Sequence, residues 1–217
     1  MKNNRVKEVV EEVRRLTGDP AVRKVVKQRI KEFQVTKSED SYRWFEELVF
    51  CILTAYSSAE VGLRCVEALK EKDHIFHGSK DMVRKTLEEA GHRYALRRAE
   101  YIVLARKESK EIKENVLRMG NTMAAREWLV KKFKGIGWKE GSHFLRNVGF
   151  LDVAILDRHV LRVMSEYGLV REETRSLTKK KYLEYESMLR EVASELRMPL
   201  GELDLYLWYM KTQKILK

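Results

Sequence analysis

The 217-residue sequence contains few cysteines and few prolines, and both shortages narrow the classes of protein it can belong to. The two cysteines, Cys51 and Cys65, cannot supply a four-thiolate iron–sulfur cluster or a structural zinc site. Both lie in apolar helical stretches and are predicted to be buried free thiols. The two prolines, Pro20 and Pro199, each stand where a helical pattern begins, a position that suits the fixed φ of proline.

Strand signals and long apolar runs are also absent. No run of β-branched residues alternates with polar ones, and no Asn-Gly or Asp-Gly hairpin turn occurs. No stretch reaches the roughly 18 apolar residues of a membrane span. The charged N-terminus, MKNNRVKEVVEEVRR, lacks the apolar core of a signal peptide. We therefore expect a cytoplasmic protein, nucleoid-associated if it binds DNA, with no membrane-spanning segment.

Positive charge is the feature in surplus. Lys and Arg number 44 against 33 Asp and Glu, which gives a net charge of +11. A surplus of this size favours a polyanionic partner, with nucleic acid first and an anionic membrane second. The apolar fraction of 44 % is typical of a folded globular chain rather than a disordered one.

Helical periodicity dominates the chain and predicts an all-α protein of about ten or eleven helices with short connections. The most apolar stretch, residues 45–53, is expected to form the central core helix, with Ser41 as its cap. Asn121 and Asp157 are expected to cap later helices. Between them, residues 135–137 interrupt the helical pattern as a tight Gly-Ile-Gly turn.

This turn predicts a phosphate-anchoring hairpin. Gly135 and Gly137 allow positive φ and a close backbone approach, and the amides that begin the next helix can bind a phosphate. Lys131, Lys132 and Lys134 stand just before the turn. Such a hairpin would position DNA without reading its bases, and the alternative is an ordinary helix–turn–helix corner.

Lys139 and Asp157 are the candidate chemical groups. Lys139 lies in the first turn of the helix after the hairpin, where the dipole and burial favour the neutral amine that a nucleophile needs. Its alternative role is to bind phosphate. Asp157 follows the apolar run 153–156, and its alternative role is that of a simple helix cap. His143 shares a helix face with Lys139, and His159 lies near a helix N-terminus where a phosphate could bind.

Several stretches resemble the helix-hairpin-helix DNA glycosylases, most closely the archaeal-type, second class of 8-oxoguanine DNA glycosylase/lyase. The resemblance implies a two-lobed all-α fold with a central cleft, formed by residues 1–217 as one glycosylase unit with its hairpin and catalytic segment at 123–168. It also implies base-excision repair of double-stranded DNA that contains 8-oxoguanine, without a metal or organic cofactor. A monomer is expected. The matching stretches are FCILTAYSSAE at 50–60, GHRYALRRAEYI at 91–102, GIGWKEGSHFLRN at 135–147, AILDRHVLRV at 154–163 and DLYLWY at 204–209.

The resemblance also assigns roles to single residues. In this class the lysine two places after the second hairpin glycine is the nucleophile, here Lys139, and the aspartate that follows it, here Asp157, is the catalytic acid. Members that carry the lysine both remove the base and cut the strand.

For the base pocket, the resemblance implies that an aromatic at the position of Trp208 stacks on the damaged base. A polar residue one turn earlier, here Asp204, faces the edge of that base. The final lysine, here Lys217, helps to tell 8-oxoguanine from guanine, whose N7 carries no hydrogen. Tyr94 and His143 are candidates for the opposite wall.

Two features depart from the pattern of the family. The loop before the aspartate, residues 149–156, has no proline where the wider superfamily often has a Gly/Pro-rich loop. Tyr56 stands where a smaller polar residue such as Asn is expected.

The C-terminal part has no cysteines, which excludes the iron–sulfur branches that act on damaged pyrimidines and adenine mismatches.

Three other functions fit parts of the sequence. A non-catalytic helix-hairpin-helix DNA-binding protein would share the charge and the turn, but it has no use for Lys139 and Asp157 together. A helical protein-interaction or RNA-binding scaffold would show no preference for damaged duplex over a plain polyanion at raised salt. A related glycosylase would remove a different oxidised purine, and the base-pocket residues would decide which.

Overall fold

The computed structural model describes residues 2–171 and 177–216. Within those two ranges the protein contains helices and no strands, so the predicted all-α class is confirmed. One short 3₁₀ turn, Arg106–Glu108, follows the sixth helix. In chain order the α-helices are α1 (Lys2–Gly18), α2 (Pro20–Ser38), α3 (Ser41–Thr54), α4 (Ala59–Glu71), α5 (Lys80–Glu89), α6 (Ala95–Ala105), α7 (Ile112–Arg118), α8 (Thr122–Lys132), α9 (Trp138–Asn147), α10 (Arg158–Glu166), α11 (Lys179–Leu196) and α12 (Leu200–Thr212).

The chain divides into two compact units. Unit 1 contains residues up to Gln34 and from Gly149 to Ile215, and unit 2 contains Val35–Val148. In unit 1, α12 packs against α1, α10 and α11. In unit 2, α3 packs against α4, α6, α7 and α9. The predicted segment 123–168 therefore contributes residues to both units, with Lys139 in unit 2 and Asp157 in unit 1.

The core helix of unit 2 is α3, as its composition predicts. Its buried side chains include Phe45, Leu48 and Ile52, each without solvent exposure. The predicted cap is wrong by one residue, because Asp40 rather than Ser41 accepts a hydrogen bond from the Arg43 amide, at 2.9 Å. The Ser41 hydroxyl instead donates to Glu114 Oε2 of α7, at 2.8 Å.

Other helix ends follow the predicted caps closely. Asn121 and Asp157 cap α8 and α10 through their side chains, as predicted. Helix α2 begins at Pro20, where the sequence predicts the start of a helical pattern, and runs to Ser38. Helix α7 was not predicted, because its seven residues are too few for a periodic apolar pattern.

Cys51 and Cys65 are buried free thiols, which confirms the prediction. Burial raises the pKa of the Cys65 thiol to about 11, so this group stays protonated and unreactive at neutral pH. In the ranges that the structure describes, no helix combines the length and apolar character needed to cross a membrane.

A buried histidine, His92, fixes the end of α3 in unit 2. The residue is only 4 % exposed. Nε2 lies 2.9 Å from the Leu53 carbonyl oxygen, and Nδ1 accepts a hydrogen bond from the Tyr94 amide at 3.1 Å. These two partners require the neutral ring with its proton on Nε2. Burial is the main cause that lowers the pKa of His92 below its ordinary value of 6.5.

We expect the free energy of unfolding to decrease as the pH falls below about 6.5. The unfolded chain takes up a proton on His92 at its ordinary pKa, whereas the folded chain resists it until a lower pH. The stability that His92 contributes is thus complete above 6.5 and is lost towards its lowered pKa. Urea unfolding at several pH values measures this slope. His92→Gln should flatten it, and an unchanged slope in the variant would contradict the assignment.

Candidate active site

The hairpin predicted at residues 135–137 is present between α8 and α9 of unit 2. Gly135 has a φ of +85°, which places it in the left-handed region. Ile136 points into the core with 4 % of its surface exposed, and its amide donates to the Phe133 carbonyl oxygen at 3.3 Å. Gly137 is the residue from which α9 begins. The N-terminus of α9 therefore follows the hairpin directly, and its helix dipole favours an anion at this end.

Gly135→Ala should lower both stability and DNA affinity. A Cβ at this position would lie 2.5 Å from Tyr101 Cδ2, and the left-handed conformation adds its own cost for alanine. We expect a loss of about 2 kcal/mol in the free energy of unfolding and weaker duplex binding in a filter or anisotropy assay.

The matched control is Gly18→Ala, because a Cβ at Gly18 meets nothing within 4 Å. This control should keep wild-type binding. Equal effects of both substitutions would contradict a specific requirement for glycine in the hairpin.

Lys139 lies in the first turn of α9, as predicted, with its side chain 27 % exposed. Nζ is 3.7 Å from Glu140 Oε1. The other oxygen of Glu140 accepts a hydrogen bond from the Gly137 amide at 3.2 Å, which caps the start of α9. Glu140 therefore orients both the helix start and the lysine, a role that the capping pattern of the sequence could have indicated. Lys134 is exposed at the hairpin, with Nζ 3.9 Å from Glu100 Oε1.

Two base-pocket candidates of unit 2 differ in exposure. His143, four residues after Lys139, is only 6 % exposed, and its ring meets Phe50 edge-on at 5.4 Å between centroids. Tyr94 is 40 % exposed, and the guanidinium of Arg93 lies over its ring at 4.7 Å. His143 thus packs in the core, whereas Tyr94 offers a ring to solvent.

Tyr56 has a backbone conformation that explains why a smaller polar residue was expected there. Its φ is +59°, and its side chain is 79 % exposed. The left-handed region is costly for a residue with a Cβ and is best tolerated by Gly, Asn and Asp. Arg98 holds the preceding residue by donating to the Ala55 carbonyl oxygen at 2.6 Å. The hydrogen bond from Arg98 therefore helps to hold the backbone in this conformation, although tyrosine is the residue that adopts it.

Asp157 caps α10 in unit 1 and has hydrogen-bond partners on both carboxylate oxygens. Oδ1 accepts from the amides of His159 and Val160, each at 2.9 Å. Oδ2 accepts from Trp208 Nε1 of α12 at 3.2 Å. Asp157 therefore does cap the helix, which was the alternative to a catalytic role. The cap uses only Oδ1, because Oδ2 accepts its hydrogen bond from a residue of α12.

The loop before Asp157 is held by buried polar side chains instead of proline. The amide of Ala154 donates to Glu186 Oε1 at 3.1 Å, and the amide of Ile155 donates to Asp204 Oδ1 at 2.9 Å. The Leu156 amide donates to the Tyr182 hydroxyl at 3.2 Å, and that hydroxyl donates to the Ala154 carbonyl oxygen at 2.7 Å. Three consecutive amides are satisfied, so the backbone leading to Asp157 is fixed.

The sequence analysis did not identify Glu186 and Tyr182 as residues that support the site. A carboxylate on the apolar face of α11 is the signal that indicates such a role for Glu186. Asp204 was predicted to face the edge of the base. In the structure it is 3 % exposed and accepts a hydrogen bond from the backbone of the loop before Asp157. His159 is half-buried, with its ring edge-on to Trp208 at 5.8 Å between centroids. Lys217 lies outside the described residues.

Comparison with known proteins identifies the family. A family model described as 8-oxoguanine DNA glycosylase matches residues 26–198. An 8-oxoguanine DNA glycosylase/AP lyase of Korarchaeum cryptofilum is 45 % identical over 98 % of this chain and 99 % of its own. One from Methanocaldococcus jannaschii is 45 % identical over 90 % and 93 % of the two chains.

Two solved structures share the fold. The Methanocaldococcus jannaschii 8-oxoguanine glycosylase/lyase in complex with a 15mer DNA containing 8-oxoguanine has a TM-score of 0.92 and 42 % identity, over 97 % of this chain and 100 % of that one. The 8-oxoguanine DNA glycosylase of Thermotoga maritima has a TM-score of 0.88 and 42 % identity, over 98 % and 100 %. These matches confirm the helix-hairpin-helix glycosylase fold. The chain belongs to the 8-oxoguanine DNA glycosylase family.

Proposed function

We propose that the protein excises 8-oxoguanine from double-stranded DNA with Lys139 as nucleophile and then cuts the strand. It is a DNA glycosylase and AP lyase, the activity by which its relatives are named. The observation that carries the assignment to Lys139 is its place in the first turn of α9, directly after the Gly135–Gly137 hairpin and partly shielded from solvent. A lysine chosen only for helix stability would not stand at a helix N-terminus.

In the proposed reaction the neutral amine of Lys139 attacks C1′ of the damaged nucleotide, and the bond between C1′ and the base breaks. The carboxylate of Asp157 stabilises the positive charge that develops on the sugar. The departing base takes up the proton that the attacking amine loses. The C1′–O4′ bond then breaks, O4′ takes up a proton, and a protonated imine joins Lys139 to C1′. This imine acidifies the C2′ hydrogens, so loss of one proton and departure of the 3′ phosphate oxygen cut the strand by β-elimination.

The hairpin supplies the DNA contacts in this proposal. The hairpin at Gly135 and Gly137 and the side chain of Lys134 bind backbone phosphates on the side of Lys139, where the dipole of α9 favours an anion. His159, at the N-terminus of α10, binds a further phosphate, where the helix dipole favours an anion. The net charge of +11 supports a polyanionic partner of this kind.

The base pocket is the finer part of the proposal. Trp208 is half-buried and Tyr94 is exposed, so each has a ring face that a flipped base could reach. His143 and Asp204 are buried and stay predictions for base binding, and Lys217 stays a prediction for lesion discrimination. We further propose that residues 1–217 act as one glycosylase unit, as a monomer, in the nucleoid-associated cytoplasm.

The test is cleavage of duplexes that carry one 8-oxoguanine, one guanine or one other oxidised purine at the same position. The proposal predicts base removal and a 3′-side cut with 8-oxoguanine, and neither with guanine. Preferred cleavage of the other purine would move the protein to the related-glycosylase alternative. Binding without cleavage of any duplex would favour a non-catalytic DNA-binding protein.

A further inference from the structure

We infer that Trp208 is a positioning residue for Asp157 and that its indole N–H, separately from its ring face, sustains the excision step. The inference rests on the proposed function, because it assigns Trp208 a role toward the proposed catalytic acid. It goes beyond the stacking role expected of an aromatic residue at this position.

The geometry around Asp157 leaves a specific task for the indole. The amides of His159 and Val160 bind Oδ1, and they fix that oxygen at the start of α10. The last bond of the side chain has a broad torsional preference, so contacts to Oδ1 alone restrain the tilt of the carboxylate only through these two hydrogen bonds. Trp208 Nε1 binds Oδ2 at 3.2 Å and adds a second anchor that restrains the plane of the carboxylate.

Trp208 is itself held in place by its surroundings. The ring of His159 meets it edge-on at 5.8 Å between centroids, and α12 packs against α10. One turn further along α12, Lys211 is paired with Glu166 at the end of α10. The indole therefore belongs to a rigid arrangement, which is the condition under which a hydrogen bond can orient a reacting group.

A hydrogen bond to a charged oxygen is stronger than one between neutral groups, and it matters most where charge develops in the reaction. Loss of the indole N–H leaves the carboxylate with the correct charge but without a fixed plane. The expected consequence is a slower chemical step with unchanged binding, since the ring face that a base could stack on is kept.

Trp208→Phe separates the two roles, because phenylalanine retains an aromatic face and lacks the N–H donor. We expect the single-turnover rate of 8-oxoguanine excision at saturating enzyme to fall about 10-fold, with the Kd for the lesion duplex within about twofold of wild type. Trp128→Phe is the matched control, since Trp128 is also half-buried and meets Phe133 edge-on in unit 2. It should keep the wild-type rate.

A double-mutant cycle tests whether the effect passes through Asp157. In an Asp157→Asn background, Trp208→Phe should cause no further loss of rate, because the charged partner of the indole is already gone. An equal loss in both backgrounds would overturn the inference, as would a Trp208→Phe rate equal to wild type. If the wild-type protein leaves 8-oxoguanine in place, the proposed function itself fails, and the inference about excision fails with it.

The hydrogen bond also has a readout that needs no activity. The sequence contains four tryptophans, so Trp208→Phe identifies the Trp208 indole N–H signal in a nitrogen-edited NMR spectrum by its disappearance. That signal should shift in Asp157→Asn and stay in place in Asp40→Asn, which changes an equivalent helix cap on α3. If the indole signal does not shift in Asp157→Asn, the hydrogen bond between Trp208 and Asp157 is absent and the inference is wrong.

Discussion

Lys139→Gln is expected to abolish both base removal and strand cutting, with a fall in rate of at least about 1,000-fold. Glutamine keeps the length and polarity of the side chain but cannot form an imine with C1′. The side chain is 27 % exposed, so the substitution leaves no cavity in the core. The helix start also persists, because Glu140 still accepts from the Gly137 amide. The measurement is single-turnover cleavage of a duplex with one 8-oxoguanine.

Lys134→Gln is the matched control for this experiment. Lys134 belongs to the same hairpin but is exposed, and its proposed role is to bind phosphate. We expect weaker binding with a smaller salt dependence and a normal rate once the enzyme is saturating. If Lys139→Gln merely weakened binding in the same way, Lys139 would be a phosphate-binding residue and not the nucleophile.

Asp157→Asn is expected to lower the rate of base removal by about 100- to 1,000-fold while stability changes little. Asparagine caps helices about as well as aspartate, so its side-chain oxygen can continue to accept from the amides of His159 and Val160. The negative charge that stabilises the developing sugar cation is lost. In addition, the amide NH₂ group would face the N–H of Trp208, and two donors cannot bond to each other.

Asp40→Asn provides the comparison. Asp40 caps α3 through one oxygen, 2.9 Å from the Arg43 amide, in the same way that Asp157 caps α10. The two variants should have similar unfolding midpoints in urea, and only Asp157→Asn should lose activity. A normal excision rate in Asp157→Asn would reduce Asp157 to a helix cap.

Local chemistry made the hairpin and the caps predictable. A Gly-Ile-Gly interruption between two helical patterns has few structural solutions, and the left-handed Gly135 is one of them. Asn121 and Asp157 were predicted as caps because their side chains accept hydrogen bonds from amides two or three residues ahead. Ser41 was predicted wrongly because Asp40 beside it offers the same acceptor chemistry one residue earlier.

Contacts between distant parts of the chain were not predictable in this way. The loop before Asp157 depends on Glu186 and Asp204, which are 32 and 49 residues away from their partners in the sequence. Hydrophobic periodicity does not predict hydrogen bonds between residues so far apart. The absence of proline from the loop also does not indicate which side chains hold it in place. The contact from Trp208 to Asp157 spans 51 residues and was hidden by the apolar character of α12.

The most direct test of the central claim is borohydride trapping with a duplex that contains one 8-oxoguanine, followed by peptide mapping of the adduct. Undamaged and abasic duplexes serve as controls. The account predicts a covalent adduct with the lesion duplex that maps to Lys139 and disappears in Lys139→Gln. An adduct on another lysine, or one that persists in Lys139→Gln, would contradict it.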